Sequence, residues 1–466
     1  MSKKFAIAAI TLALAGCSLA PTYERPGVPV AAAWPANAKA GGARKVADTG
    51  IAQYYPDPRL QALIAASLEH NRDLRIATAR IAEARGQYGI QKADRLPNVS
   101  ANAGRSASSS PASTSFTGRQ FKSQRYDVSL GLLAFELDFW GRVASLSEAA
   151  KASYLATESA QRAFRLSLIA DVANAYLSAI ELRERVQLAA STAKTRAEFR
   201  ELTSRRRDVG VAGDLDFLAA EGAYQAAVAE QASLEQQQAA AENLLDVLVG
   251  QPVAQMKNLP AGRSLAEQGI APDLIAGLPA EVLLQRPDVL AAEQQLIAAN
   301  ANIGAARAAF LPRITLTGSV GTASRTLAGL FGPGSDAWSF QPSLTQPLFD
   351  AGRNSASLDV AEARKVIAVA EYEKAIQQAF REVADVLNAR ENLAKQLAAQ
   401  EANAQAQSLR LKLVEARYKA DIANYLELLD AQRDSFSAQQ GAVQVRRALL
   451  SNAAQLYKAL AGQAAQ

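Results

Sequence analysis

The chain has 466 residues, 49% of them hydrophobic and 20% charged, and a formal net charge of +5. Its one cysteine, Cys17, excludes an internal disulfide and a thiolate metal site, and its one histidine, His70, argues against histidine-based metal or triad chemistry. The sequence has no block of basic residues and no phosphate-binding glycine motif, so neither nucleic-acid binding nor a nucleotide-dependent activity is expected. We therefore expect no enzyme activity and no cofactor.

Residues 1–16 predict a secretory signal peptide, because two lysines precede an apolar run of about eleven residues, which is too short to span a bilayer. The run ends in Leu14-Ala15-Gly16-Cys17, which resembles a bacterial lipobox and predicts acylation of Cys17. The alternative is a chance cleavage site followed by a free thiol. Ser18 in place of an aspartate favours the outer membrane, by analogy with lipoprotein sorting. Residues 17–59 are then expected to form a lipid-anchored N-terminal segment.

The remaining chain is predicted to contain two similar halves, residues 60–250 and 280–462, joined by an irregular, proline-containing connector at 251–279. The first half is predicted to contain helices at 60–95, 141–208 and 214–249 and strands at about 98–105 and 124–135. The second half is predicted to contain helices at 280–310, 352–420 and 423–461 and strands at about 313–322 and 337–347.

Short strings repeat between the halves and indicate an internal duplication. Asn71-Arg72-Asp73-Leu74 matches Arg286-Pro287-Asp288-Val289 at an offset of 215 residues, and Gly141-Arg142 matches Gly352-Arg353 at an offset of 211. The change of four residues falls between the strands, where a loop can absorb it. A period near 200 residues is too long for a solenoid, so the chain is a duplicated half-molecule.

The four predicted strands alternate apolar and polar residues and have the length of tilted strands that cross a bilayer. A soluble sheet with one wet face is the alternative. A sheet in a membrane cannot leave its edges unpaired, and four strands are too few to close into a barrel. Two copies would supply eight strands and three would supply twelve. A polar inner face suits the wider lumen, so the pattern favours three copies.

Two helical stretches of about 68 residues contain neither glycine nor proline, and each would be about 100 Å long. Each is followed by a turn, at 209–213 and 420–424, and then by a shorter helix. A soluble coiled-coil rod is the alternative, but rods do not carry interleaved barrel strands. We expect the two turns to lie at the end of the helices that is far from the strands.

Several strings in order resemble the outer-membrane factors of tripartite efflux pumps, the TolC-like proteins, and specifically their lipid-anchored OprM/NodT type. The most specific strings are Leu137-Asp138-Phe139-Trp140-Gly141-Arg142, Leu284-Gln285-Arg286-Pro287-Asp288-Val289, Gln346-Pro347-Leu348-Phe349-Asp350-Ala351-Gly352-Arg353 and Tyr425-Leu426-Glu427-Leu428-Leu429-Asp430. The resemblance implies a mixed α+β homotrimer with a twelve-stranded outer-membrane β-barrel, four strands per chain, that continues into a long helical periplasmic barrel. It also implies a periplasmic adaptor protein and an inner-membrane pump of the RND type as partners, and contact with outer-membrane lipids.

The resemblance also assigns site residues near the two turns. It implies a periplasmic gate formed by Leu426 and Asp430, one helical turn apart, with Glu427 as a further acidic position. Three copies of Asp430 would make an acidic ring that favours cations. The implied polar latch joins Tyr418 and Asp216, and the implied adaptor-docking tip contains Val209, Gly210, Val211, Asp421 and Ile422. Two residues depart from the family pattern, since Ala423 replaces a latch arginine of some members and Asp421 replaces a usual glycine.

Two functions remain open at this point. The first is an exit duct for drugs or other small toxic compounds, and the second is an outer-membrane duct for secreted proteins. The lipobox and the OprM-type strings favour the efflux duct. An envelope-spanning rod is a weaker third alternative, because a rod needs no lumen.

Overall fold

The computed structural model describes residues 18–31, 50–114, 118–270, 283–420 and 422–460, together with the backbone of 44–45 and 274–275. The predicted signal peptide, Cys17 and Asp421 lie outside the described residues. The chain divides into two compact units. The first contains residues 1–27, 80–158 and 291–373, and the second contains residues 28–79, 159–290 and 374–466.

The helices and strands are numbered in chain order. The described helices of four or more residues are α1 (Ile51–Tyr54), α2 (Pro58–His70), α3 (Arg72–Ala93), α4 (Arg142–Asp208), α5 (Asp214–Val249), α6 (Pro287–Ala308), α7 (Arg353–Lys419) and α8 (Tyr425–Leu460). The described strands are β1 (Arg44–Lys45), β2 (Val99–Ser110), β3 (Phe121–Glu136), β4 (Leu274–Ile275), β5 (Arg313–Ser324) and β6 (Asp336–Thr345). Strands β1 and β4 pair in parallel as a separate two-stranded sheet.

The element bounds repeat at the offsets found in the sequence. Adding 215 to the bounds of α3 gives those of α6, and adding 211 to the bounds of α4 and α5 gives those of α7 and α8. A contact repeats as well. Asn71 Nδ2 donates to the carbonyl oxygen of Leu248 at 2.9 Å, and Arg286 donates to that of Ala459 at 3.3 Å. The predicted internal duplication is confirmed.

The first unit contains one antiparallel sheet in the order β2-β3-β5-β6. Its register aligns Leu130 with Ala101 on one side and Val320 on the other, and Val320 with Trp338. Because side chains alternate along a strand, these residues share one face, and the polar positions share the other. On the polar face the hydroxyls of Ser319 and Ser339 lie 2.8 Å apart.

The described residues do not cover the apolar face fully, since Trp338 is 79% exposed and Phe340 and Leu344 are each 64% exposed. The strands at the two edges, β2 and β6, each have one neighbour in the chain. A sheet with one exposed apolar face and two open edges is incomplete as a single copy.

An ion-paired cluster joins the end of β3 to the start of α4. The carboxylate of Glu136 accepts hydrogen bonds from Arg142 at 2.8 and 2.7 Å and lies 2.7 Å from Nε of Arg313 on β5. Asp138 then caps α4 by accepting from the backbone N–H groups of Val143 and Ala144. These contacts hold the helix start against the base of the sheet.

The N-terminal residues of the first unit lie along α6 as a strap, residues 18–25. Glu293, only 4% exposed, accepts two hydrogen bonds from Arg25 and one from the hydroxyl of Tyr23. Asn300 donates to the carbonyl oxygen of Pro21 at 2.7 Å. A Cβ at Gly304 would lie 2.8 Å from the backbone nitrogen of Ala20, so only glycine permits this close approach.

The second unit is built around a buried aromatic cluster. The ring centroids of Tyr54 and Tyr457 lie 4.7 Å apart, and Tyr55 contacts both rings. Nearby, the fully buried Asp57 accepts from the backbone of Arg59, the hydroxyl of Tyr176 and the amide of Gln268. Burial raises the pKa of the Asp57 carboxyl, but these hydrogen bonds outweigh burial and lower its pKa below the usual value. The connector residue Gln268 is thereby tied to the start of α2.

Two helices differ from the sequence-based prediction. The stretch predicted as one helix, 60–95, is two helices that meet at Asn71, whose side chain accepts from the N–H of Leu74 at 2.8 Å and so caps the second helix. The stretch predicted as one helix at 280–310 is interrupted at 284–286 and continues as α6 from Pro287, because a proline is favourable at the first helical position and disfavours helix just before it. Residues 280–282 lie outside the described residues.

The chain is mostly helical with one four-stranded antiparallel sheet, and the predicted fold class is confirmed. Among the helices that the structure describes, α4 alone contains a stretch apolar enough to cross a membrane, but 61% of that stretch is buried within the protein. Burial in the protein core accounts for its composition.

Candidate functional site at the helix tips

The turn between α4 and α5 ends the helix with a left-handed glycine. Gly210 has a φ of +77° and its N–H donates to the carbonyl of Arg207, while the N–H of Val211 donates to that of Arg206. This pair of hydrogen bonds is a Schellman motif, which satisfies the last carbonyls of the helix. Nothing lies within 4 Å of a Cβ built on Gly210, so the backbone angle and not crowding favours glycine there.

The turn between α7 and α8 repeats part of this geometry. The N–H of Ile422 donates to the carbonyl of Arg417 at 2.9 Å, the counterpart of the Val211 bond at an offset of 211. Asn424 then caps α8 by accepting from the N–H of Glu427 at 2.8 Å. Asp421, which occupies the position of Gly210, lies outside the described residues.

Apolar side chains at both turns are exposed to solvent. Val209, Val211 and Ile422 are each 68–74% exposed, and Leu215 at the start of α5 is 81% exposed. These four residues on the two turns leave apolar area that the described part of the chain does not bury. They include three of the residues predicted to dock an adaptor.

An aromatic cluster lies behind the turns and is centred on Tyr418, which is 5% exposed. Its ring centroid lies 6.0 Å from that of Phe199 on α4 and 6.0 Å from that of Tyr425 on α8. The guanidinium carbon of Arg206 lies over the same ring at 5.2 Å. Tyr418 therefore joins three helices through the faces and edges of its ring.

The polar latch between Tyr418 and Asp216 stays a prediction. None of the hydrogen bonds among the described residues joins these two side chains. Asp216 instead lies close enough to Tyr425 to affect its titration. Burial is the main cause that raises the pKa of Tyr425 to about 12, and the charge of Asp216 adds to it. Asp216 borders the cluster and Tyr418 holds it through packing.

The two predicted gate residues lie one turn apart on α8, but they differ in their surroundings. Leu426 is 64% exposed. The carboxylate of Asp430 lies 3.2 Å from the guanidinium of Arg433 on the next turn of the same helix. Asp430 is thus half of an ion pair, and a ring of three copies would contain three arginines as well as three aspartates.

Further ion pairs connect α7 to α8. Arg417 lies 3.0 Å from Glu427, and Arg410 lies 2.8 Å from Asp434, which also contacts Arg433. Sequence reasoning missed all three arginines. The i,i+3 spacing of Asp430 and Arg433 was an available signal, whereas the pairs across the turn depend on its three-dimensional geometry.

The chain belongs to the outer membrane efflux protein family, whose model matches residues 63–251 and 278–462. It is therefore an outer-membrane channel protein of the efflux type, a class of channels and not of enzymes.

Individual relatives agree with this assignment. The chain is 44% identical over 459 residues to the outer membrane protein OprJ of Pseudomonas aeruginosa, with 97% of this chain and 94% of OprJ covered. It is 41% identical over 456 residues to the solvent efflux pump outer membrane protein SrpC of Pseudomonas putida, with 97% and 96% covered. Its fold matches the open state of the Neisseria gonorrhoeae MtrE outer membrane channel with a TM-score of 0.87 and 42% identity, over 96% of this chain and 99% of MtrE.

Proposed function

We propose that three copies of this chain form the exit duct of a tripartite efflux system. The observation that carries the proposal is the four-stranded sheet, which has one apolar face, one polar face and two open edges. Pairing β6 of one copy with β2 of the next removes every edge and gives twelve strands. The apolar face then contacts lipid and the polar face lines a wet lumen.

The helices form the periplasmic part of the duct, and the two turns follow the C-terminal ends of α4 and α7. The exposed apolar residues Val209, Val211 and Ile422, together with Gly210 and Asp421 of the same two turns, are the residues that dock a periplasmic adaptor. An inner-membrane pump of the RND type delivers the substrate through that adaptor. Leu426 and Asp430 narrow the lumen, and Glu427, through its pair with Arg417, ties the start of α8 to the end of α7.

Cys17 carries the lipid anchor, and the strap supports this assignment. The carbonyl oxygen of Leu19 lies 3.5 Å from the guanidinium of Arg307 in the last turn of α6, five residues before β5 begins. The strap thus leads the chain toward the base of the membrane sheet, where an acylated Cys17 can enter the same bilayer.

The expected substrates are small toxic compounds. Relatives with more than 40% identity include pump components named for solvents, toluene and antibiotics. Selection among these compounds belongs to the inner-membrane pump, and the exit duct carries what the pump delivers.

The test is complementation in a bacterium that lacks its own outer-membrane efflux channel but keeps the adaptor and the pump. Expression of this chain should restore resistance to pump substrates, and the double variant V211D/I422D, which places charge on the docking surface, should not restore it although it reaches the membrane. Resistance that stays at the level of the empty strain, while the wild-type chain reaches the outer membrane with a matched adaptor and pump, would contradict the efflux assignment. Restored export of a protein substrate alone would support the secretion alternative.

A further inference from the structure

The end of the sheet that lies away from the helices carries a concentration of positive charge. Residues 103–127 and 321–337 contain four arginines and one lysine against two aspartates, a net charge of 5 − 2 = +3. The whole chain has a net charge of only +5. Most of the excess positive charge therefore lies at one end of one sheet.

The register places part of this charge on the apolar face. Arg105 pairs with Tyr126, which lies on the same face as Val128 and Leu130 because side chains two residues apart share a face. Lys122 lies four residues before Tyr126 and therefore also on this face. Arg105 and Lys122 are both exposed. The apolar band of the face ends where these two cations begin.

The dimensions fit a bilayer. Ile314 and Thr322 on β5 are eight residue steps apart, or about 27 Å of strand at 3.4 Å per step. With the strand tilt of a membrane barrel, this corresponds to about 20 Å of height, near the height of the apolar band of outer-membrane barrels. Arg105 lies two residues beyond this band, or about 5 Å of height, and Lys122 lies four residues, or about 10 Å, further out. Arg105 therefore lies at the level of lipid headgroups, and Lys122 lies further out on the same face.

Two features of the site suit a phosphate group. The guanidinium carbon of Arg105 lies 5.5 Å from the centroid of the Tyr126 ring. An arginine that stacks on an aromatic ring keeps its in-plane N–H groups available for phosphate oxygens. Lys122 and Arg325 line a surface groove together with the hydroxyl-bearing Ser109, Ser123 and Thr326. Two cations and several hydroxyl donors in one groove are a typical phosphate-binding composition.

We propose that Arg105, Lys122 and Arg325 bind the phosphate groups of lipid headgroups in the leaflet at this end of the sheet. The proposal rests on the proposed function, which places the sheet in the outer membrane with its helix-free end outward. Within one chain, Asp336 on the same face lies on β6, three strands from Arg105, or about 14 Å at the usual strand spacing. In the proposed trimer, β6 of the neighbouring copy lies beside β2, so Asp336 of that copy is on the strand next to Arg105. The bound lipids would form a shell around the outer rim of the barrel.

The test is native mass spectrometry of the purified full-length trimer titrated with diphosphorylated lipid A and with its fully dephosphorylated analogue. The R105Q/K122Q variant should bind the phosphorylated lipid about 25-fold more weakly, since each basic side chain near an anionic surface is worth roughly fivefold. Each single variant should lose about fivefold. The control matched to the single variant K122Q is R125Q, which also removes one positive charge from β3 but from the polar face, and it should bind like wild type.

Equal binding of the two lipids by the wild-type protein would overturn the proposal, as would undiminished binding by R105Q/K122Q. A loss in R125Q as large as that in R105Q/K122Q would also overturn it, because the effect would then follow net charge and not position. Conductance of the wild-type protein in planar bilayers is measured in parallel. A protein that binds the phosphorylated lipid selectively but forms no pore would contradict the proposed function and leave the lipid site standing.

Discussion

Replacing Tyr418 by two different residues separates a packed latch from a hydrogen-bonded one. In Tyr418→Ala the ring is lost, and with it the contacts to Phe199, Tyr425 and Arg206. Truncation of a buried aromatic side chain costs about 3–5 kcal/mol. Tyr418→Phe keeps the ring and removes only the hydroxyl. Because no hydrogen bond joins this hydroxyl to Asp216 among the described residues, we expect a cost below about 0.5 kcal/mol.

The assay is the conductance of purified protein in planar bilayers, supported by susceptibility of cells to a large antibiotic that enters only through a leaking channel. Tyr418→Ala should loosen the tip, raise the resting conductance and increase susceptibility. Tyr418→Phe and Asp216→Asn should both remain close to wild type. If Tyr418→Phe leaked as much as Tyr418→Ala, the hydroxyl would be the important group and the packed-cluster interpretation would be refuted.

Three further predictions follow from the site, the anchor and the second unit. Arg433→Ala should leave Asp430 unpaired and so increase cation selectivity and block by divalent cations in planar bilayers. Asp430→Ala should instead shift the ion selectivity toward anions. Identical ion selectivity in both variants would place the constriction elsewhere. Cys17→Ser should abolish acylation, and an unmodified N-terminus in the wild-type protein by mass spectrometry would contradict the anchor. Asp57→Asn should lower the free energy of unfolding by about 2 kcal/mol at neutral pH. The pKa of Asp57 in the folded protein lies below its unfolded value of about 3.9. The difference in unfolding free energy between wild type and Asp57→Asn should therefore shrink as the pH falls through the folded pKa. In chemical denaturation, a difference that stayed constant down to about pH 2 would contradict this prediction.

The sequence predicted the faces of the sheet and most helix ends because both depend on local signals. Alternation with a period of two assigned Trp338 and Ser339 to opposite faces, and the turn at Gly210 marked the end of a helix free of glycine and proline. The break at Asn71 was missed because it contains neither glycine nor proline. A side-chain cap interrupts the helix there, and its stability depends on the distant carbonyl of Leu248.

The candidate site was only partly predictable, for a similar reason. The positions of Leu426 and Asp430 came from a resemblance to a family, and their neighbours could not be transferred with them. Tyr418 contacts Phe199, which lies more than 200 residues earlier in the chain, so its role depends on how three helices pack. The arginine paired with Glu427 comes from the preceding helix and meets it only because the turn has a particular shape.

The central claim is that three chains close one barrel by pairing β6 of one copy with β2 of the next, and disulfide cross-linking tests it directly. Each variant carries one cysteine on the β2 edge and one on the β6 edge, and several pairs of positions are compared. Cys17 is the only native cysteine, and we expect its thiol to be blocked by lipid. Oxidation of the membrane-embedded protein should give covalent dimers and trimers and nothing larger, and variants with a cysteine on one edge alone should stay monomeric. Cross-linked species that end at the dimer, or that continue beyond the trimer, would contradict the twelve-stranded barrel.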